Sequence, residues 1–209
     1  MIKRILKENC LFFLIILLLI VVFLILKYTP FYSDVVVFDN KVFSFLNMLH
    51  VNKFTHIMKV FTNIGDWYIP ISIIVCSLVF LKNKNYFYIL AGSYLFAGIV
   101  SFAAKWIILR PRPIDALIKI PTSYSFPSGH TLTSLVFYLT LCYLLTKNIK
   151  GILRPILLFG TVILILMVAL SRVYLGVHFC SDVIGGFLFG IVCEVAVINT
   201  IKNNFSEKI

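Results

Sequence analysis

A chain of 209 residues that is 61% hydrophobic and 13% charged, with a mean hydropathy of +1.02, is suited to lipid rather than water. At about 20 residues per crossing, some six spans with their loops consume the length, which excludes a separate soluble catalytic domain. The net charge of +11 comes from Lys and Arg scattered between apolar runs, which argues against nucleic acid as a partner and for topology signals and anionic headgroups.

Lys3, Arg4 and Lys7 precede an apolar run from Cys10 to Leu26. The run is long for a signal-peptide core and no small-x-small site follows in Lys27-Tyr28-Thr29-Pro30, so it reads as an uncleaved first span over 10–26. In the mixed stretch 28–66, Val42, Phe45, Leu46 and Leu49 recur at helical spacing and predict an amphipathic helix on the membrane surface. Further spans are predicted over 64–81, 86–109, 130–145, 152–170 and 183–201, with a proline-rich loop after the third. The expected fold class is all-α: a single membrane-integral domain, residues 1–209, forming a six-transmembrane-helix bundle with an interfacial helix between spans one and two.

The positive-inside rule places both termini in the cytoplasm, with Lys82, Lys84, Lys147, Lys150, Arg154 and Lys202 on that side. Lys41, Lys53, Lys59, Arg110, Arg112, Lys119 and Arg172 then lie outside, a modest bias that sharpens when several of them have a chemical task. This orientation requires the short second span to be a true crossing. The cysteines show no CxxC or zinc-like spacing; four read as buried thiols and Cys180 as a passenger. Gly186-x3-Gly190 reads as a close helix contact, and Trp67, Tyr68 and Trp106 as interfacial anchors. His50 and His56 read as surface residues, and Asp66 as a cap for span two.

Three polar clusters meet one membrane face in this layout: Lys105 to Pro113, Pro127 to His130, and Ser171-Arg172 with His178 and Asp182. A lysine inside a span either snorkels or serves a purpose. Lys105 and Arg112, seven apart, share a helical face if the helix continues that far. Pro127-Ser128-Gly129-His130 opens a helix whose free N–H groups and dipole attract phosphate, unless it is an ordinary capped terminus. His178 and Asp182, one turn apart, either form a polar cap or orient the imidazole as nucleophile or base. Cations, histidines and one carboxylate suit an anionic tetrahedral group, and a two-metal centre needs more oxygen ligands than this.

Lys-x6-Arg-Pro, Pro-Ser-Gly-His and Ser-Arg-x5-His-x3-Asp, covering residues 105–182, resemble the signature of the type 2 phosphatidic acid phosphatase superfamily, which also includes vanadium haloperoxidases. The resemblance implies His178 as nucleophile, Asp182 as its orienting partner and His130 as the acid for the leaving group. It implies Lys105, Arg112, Ser128, Gly129 and Arg172 as phosphate ligands, with no metal and no cofactor. Arg110-Pro111 duplicates the Arg-Pro pair two residues early; spacing and helical phase favour Arg112, with Arg110 as the alternative if the helix ends sooner. The expected activity is metal-independent hydrolysis of a lipid phosphate or pyrophosphate outside the cytoplasm, the partners being the lipid substrate and the bilayer. Candidate substrates are phosphatidylglycerol phosphate, undecaprenyl pyrophosphate and phosphatidic acid; the Lys/Asn/Ile/Phe-rich composition is associated with bacteria. A non-catalytic lipid-phosphate binder and a haloperoxidase-like enzyme are the alternatives, and nothing in the sequence sets an oligomeric state.

Overall fold

The computed structural model describes residues 9–48 and 51–204; Lys3, Arg4, Lys7, Leu49, His50 and Lys208 lie outside them. Among the described residues there are eight helices and no strand. They are α1 (Cys10–Lys27), α2 (Phe31–Asn47), α3 (Asn52–Ile64), α4 (Tyr68–Phe80), α5 (Asn85–Ile108), α6 (Gly129–Thr146), α7 (Leu153–Tyr174) and α8 (Cys180–Asn204).

Five of these (α1, α5, α6, α7 and α8) are long and apolar enough to cross a membrane, which makes the chain a multi-pass membrane protein. The pair α3–α4 is bent by 45° and adds a sixth crossing only when its two halves count as one broken span. The stretch 28–66 holds two helices, α2, which carries Val42, Phe45 and Leu46, and α3. The break is local: Gly65 and Asp66 receive no continuing helix, and Pro70 sits in the first turn of α4, where its missing N–H costs nothing.

α6 is the hub, packing on α5, α7 and α8 and buried along most of its length. α1 is apolar on every side, buries Ile16 and Ile20 against α5 and α8, and presents the rest outward, as a lipid-facing helix does. α3 lies along α7, and α4 along α5. The exposed thiols of Cys10 and Cys76 correct the expectation of burial, because both sit on outward faces; Cys142 and Cys193 are buried. His56, Trp67 and Trp106 are exposed.

The α6–α8 contact is close because α8 offers glycines. A Cβ on Gly186 would stand 2.8 Å from the Ser128 carbonyl oxygen and 2.9 Å from Thr131 Cβ, while Gly190 faces Leu135. At Gly185 the group met would be the ring of Phe126, which packs between Phe23 (tilted) and Phe189 (edge-on). Gly186→Ala is expected to destabilise the bundle by about 1–3 kcal/mol through overpacking against backbone. Gly98→Ala, where nothing lies within 4 Å, should be neutral or slightly stabilising; thermal unfolding of the detergent-purified variants checks the contrast.

Candidate active site

All three clusters meet at one end of the bundle, formed by the end of α5, the start of α6, the end of α7 and the start of α8. Asn9, just before α1, donates to Thr200 of α8 at 2.8 Å at the opposite end. Three local features produce the convergence. α5 stops at Ile108, whose carbonyl accepts from Lys27 Nζ at 2.9 Å, and Leu109 turns the chain with φ 53. The loop after it then lies across the α7–α8 turn, where Leu117 N donates to Leu175 O at 3.0 Å. Gly176, φ 71, permits this approach; a Cβ there would meet the Asp115 carbonyl oxygen at 2.3 Å.

Asp182 is the node. Its Oδ1 accepts from Arg110 Nη1 at 2.6 Å, its Oδ2 from Phe179 N at 2.9 Å, and its backbone carbonyl from Ser128 N at 2.9 Å. His178 Nδ1 lies 3.4 Å from the same Oδ2, a long contact to an oxygen that already has a donor. The other ring nitrogen, Nε2, is 3.1 Å from Arg112 Nη1. A guanidinium can only donate, so Nε2 carries the lone pair and Nδ1 the proton facing Asp182. Burial, with the charges of Lys105, Arg112 and Arg172 and the neighbouring His130, pushes the His178 imidazole well below its ordinary pKa. At neutral pH the ring is therefore uncharged, with its lone pair directed at a guanidinium.

The two neighbouring arginines part company here. Arg110 is buried between two carboxylates, Asp182 and Asp39, the latter accepting at 2.7 Å, and its guanidinium lies 4.5 Å from the Phe179 ring. Asp39 also accepts from Ser181 N at 2.8 Å and Ser181 Oγ at 2.6 Å. Arg112 is held by neutral oxygens instead, those of Ser123 and Tyr124 and, at 2.7 Å, Val177. It reaches His178 from the loop and not along the helix, since α5 has ended four residues earlier. The alternatives left open by the sequence thus separate by partner: Arg110 is ion-paired, Arg112 faces the imidazole.

Lys105 Nζ donates to the carbonyls of Tyr124 and Ser125 at 2.7 and 3.1 Å, and Arg172 donates to the Thr62 hydroxyl. Arg172 Nε is buried without a partner among the described residues. Ser128 is fully buried and makes no side-chain cap; its Oγ accepts from Thr131 Oγ1 at 3.0 Å. A Cβ on Gly129 would press Ser101 Oγ at 3.2 Å and only touch Lys105 Cε, at 3.7 Å, so the glycine fits closely against α5. His130 Nε2 lies 2.9 Å from Asp66 Oδ1, so Asp66 faces the site rather than capping α4, which has no side-chain cap.

All eight residues inferred from the sequence are therefore gathered at this end, and Asp39, Asp66, Ser181 and the carbonyls of 123–125 join them. Two of these additions carried a signal. Asp39 lies three residues before Val42 and seven before Leu46, on the stripe the helix buries, and Asp66 is the one acid between Asp39 and Asp115.

Residues 86–206 match the PAP2 superfamily. The chain is 38% identical over 108 residues to phosphatidylglycerophosphatase B of Bacillus subtilis (strain 168), covering 50% of each chain. It is 29% identical over 163 residues to an undecaprenyl-diphosphatase of Sulfolobus acidocaldarius, covering 73% of each. The match thus spans about half the length of the Bacillus relative. Its fold resembles the crystal structure of the first transmembrane PAP2 type phosphatidylglycerolphosphate phosphatase from Bacillus subtilis, with a TM-score of 0.79 at 22% identity over 95% of this chain and 98% of that one.

Separating the arginines gives a direct test. Arg110→Ala and Asp39→Asn should each cost on the order of 3 kcal/mol, since a buried charge loses its partner, and Arg112→Ala about 1 kcal/mol. Unfolding of the purified variants in detergent measures the difference.

Proposed function

The chain belongs to the PAP2 superfamily, and on that footing we propose that it is a membrane lipid phosphatase that removes a terminal phosphate from a lipid phosphate or pyrophosphate through a phosphohistidine on His178. The observation that carries the proposal is the unneutralised charge: Lys105, Arg112 and Arg172 are held by carbonyl and hydroxyl oxygens around an uncharged imidazole. Buried cations without counter-ions are costly, and a phosphoryl group among them removes that cost.

In the proposed reaction the phosphate displaces the Arg112 N–H from His178 Nε2 and takes up that donor itself. The Nε2 lone pair attacks phosphorus as the bond to the leaving oxygen breaks, and that oxygen receives a proton from His130. Asp182 stabilises the positive charge that develops on the His178 ring. Lys105, Arg112, Arg172, the Ser128 hydroxyl and the amides at the start of α6 bind the phosphoryl oxygens as charge builds on them. Water then attacks phosphorus, gives its proton to His130, and the N–P bond breaks to release phosphate. No step requires a metal ion, because the cations supply the charge stabilisation.

The lipid is a phosphate- or pyrophosphate-bearing one; the relatives named above support phosphatidylglycerol phosphate and undecaprenyl pyrophosphate ahead of phosphatidic acid. The proposed orientation puts the site outside and both termini in the cytoplasm. Its support is that Lys82, Lys84, Lys147, Lys150, Arg154 and Lys202 all lie at helix ends remote from the site.

Purified protein assayed with a panel of lipid phosphates and pyrophosphates in EDTA should release phosphate from at least one. His178→Ala should lower that release more than about 10³-fold and abolish trapping of phosphohistidine while still inserting into membranes; full activity in this variant overturns the mechanism. The depressed pKa of His178 has a sign that can be read out. The neutral nucleophile persists as pH falls, so kcat/KM should hold its acid-side plateau through the ordinary histidine value of 6.5 and decline only well below it.

A further inference from the structure

Asp66 lies in the break between α3 and α4, outside the residues that match the family, and its carboxylate meets His130 across the site. The carboxylate can only accept, so the proton between them sits on His130 Nε2 and Nδ1 is the nitrogen left for other chemistry. Three contacts hold the break where it is. Tyr138 Oη donates to the Ile64 carbonyl at 2.6 Å, and Arg172 donates to the Thr62 hydroxyl. Gly65 is pressed against its neighbours so closely that a Cβ would stand 2.5 Å from Val168 Cγ1 and 3.2 Å from both His130 Cδ2 and Ser134 Oγ. Positions 130, 134 and 138 are successive turns of one face of α6, and each faces a residue of the break.

We propose that Asp66 is a positioning residue for the general acid: it turns His130 so that Nδ1–H points to the leaving oxygen, and its negative charge favours the proton on the imidazole against the surrounding cations. This rests on the reading of His130 as the acid. The charged and titratable groups facing the pair are Arg172 on α7, Arg112 in the loop after α5, Tyr94 on α5 and His178 in the α7–α8 turn. Both arginines repel a proton on His130; Asp66 is the carboxylate that opposes them. In the first step Nδ1 gives its proton to the leaving oxygen, which keeps the electron pair of the broken P–O bond. Nε2–H stays on Asp66 throughout, and in the second step neutral Nδ1 takes the proton of the attacking water. Asp66 never changes protonation state, so its contribution is orientation and charge.

The test compares two leaving groups in the full-length purified protein: an alkyl lipid phosphate, whose oxygen must be protonated, and p-nitrophenyl phosphate, whose oxygen leaves as the anion. Asp66→Asn keeps an acceptor but loses the charge. It is expected to lower kcat/KM, which reports phosphoenzyme formation alone, about tenfold or more on the alkyl substrate, to affect kcat/KM of the aryl substrate little, and to move the basic limb of the kcat/KM–pH profile to lower pH. Adding Asp66→Asn to His130→Ala should cost nothing further, since the two act as a unit. Asp66→Glu, which keeps the charge, should restore the basic limb of the kcat/KM profile even where kcat/KM stays low. A leaving-group-dependent loss in His130→Ala with equal losses on both substrates in Asp66→Asn, or an unmoved basic limb, overturns the positioning role alone. Leaving-group indifference in His130→Ala overturns the acid reading and the positioning role with it.

Discussion

A carboxylate buried at the end of a membrane helix persists only where its oxygens are satisfied, and the way Asp182 is satisfied organises everything around it. Its oxygens draw in Arg110 from the loop after α5, the Phe179 amide from the α7–α8 turn and the Ser128 amide from the start of α6. Segments more than 50 residues apart in the chain are thereby tied to one residue. His178 is placed beside it by the same turn, with Gly176 supplying the positive φ that lets the loop close over it.

Charge is distributed around that node in two classes. Arg110 is spent on structure, shared between Asp182 and Asp39 and stacked on Phe179. Lys105, Arg112 and Arg172 are kept from carboxylates and held by neutral oxygens. An ion-paired cation has its field cancelled locally, whereas one hydrogen-bonded to carbonyls retains most of its charge for an anion. The division also separates the two halves of the repeated Arg-Pro: beyond the end of α5 at Ile108, Arg110 takes two carboxylates while Arg112 takes loop oxygens and the imidazole.

The stretch before residue 86 is where the site gains its remaining carboxylates. α2 contributes Asp39 by burying a face that also carries Leu46, and the break between α3 and α4 contributes Asp66. A straight helix through residues 64–68 would continue its own hydrogen bonds and leave no reason for a carboxylate to face inward. The 45° bend, pinned from α6 and α7, creates that position. Three of the chain's eight acidic residues thus converge on one end of a strongly basic protein, which concentrates its scarce negative charge where orientation matters most.

The membrane class, the all-helical architecture and the run of apolar helices followed from the sequence, because hydropathy over about 20 residues is a local property that lipid reads directly. The three clusters were legible too, because each keeps its residues within one turn or one loop. The bend in α3–α4 was not legible, since a short amphipathic helix and a half-span look alike in composition. Nor was the separation of Arg110 from Arg112, which depends on where α5 stops and on a carboxylate 71 residues away. The same holds for Asp66, read from its neighbours as a helix cap and found facing His130 64 residues later. Sequence thus determined which residue types are present and which helices carry them. Tertiary structure alone decided which charges are cancelled and which are left exposed to a ligand, because electrostatic pairing depends on distance in space and the chain's order does not record it.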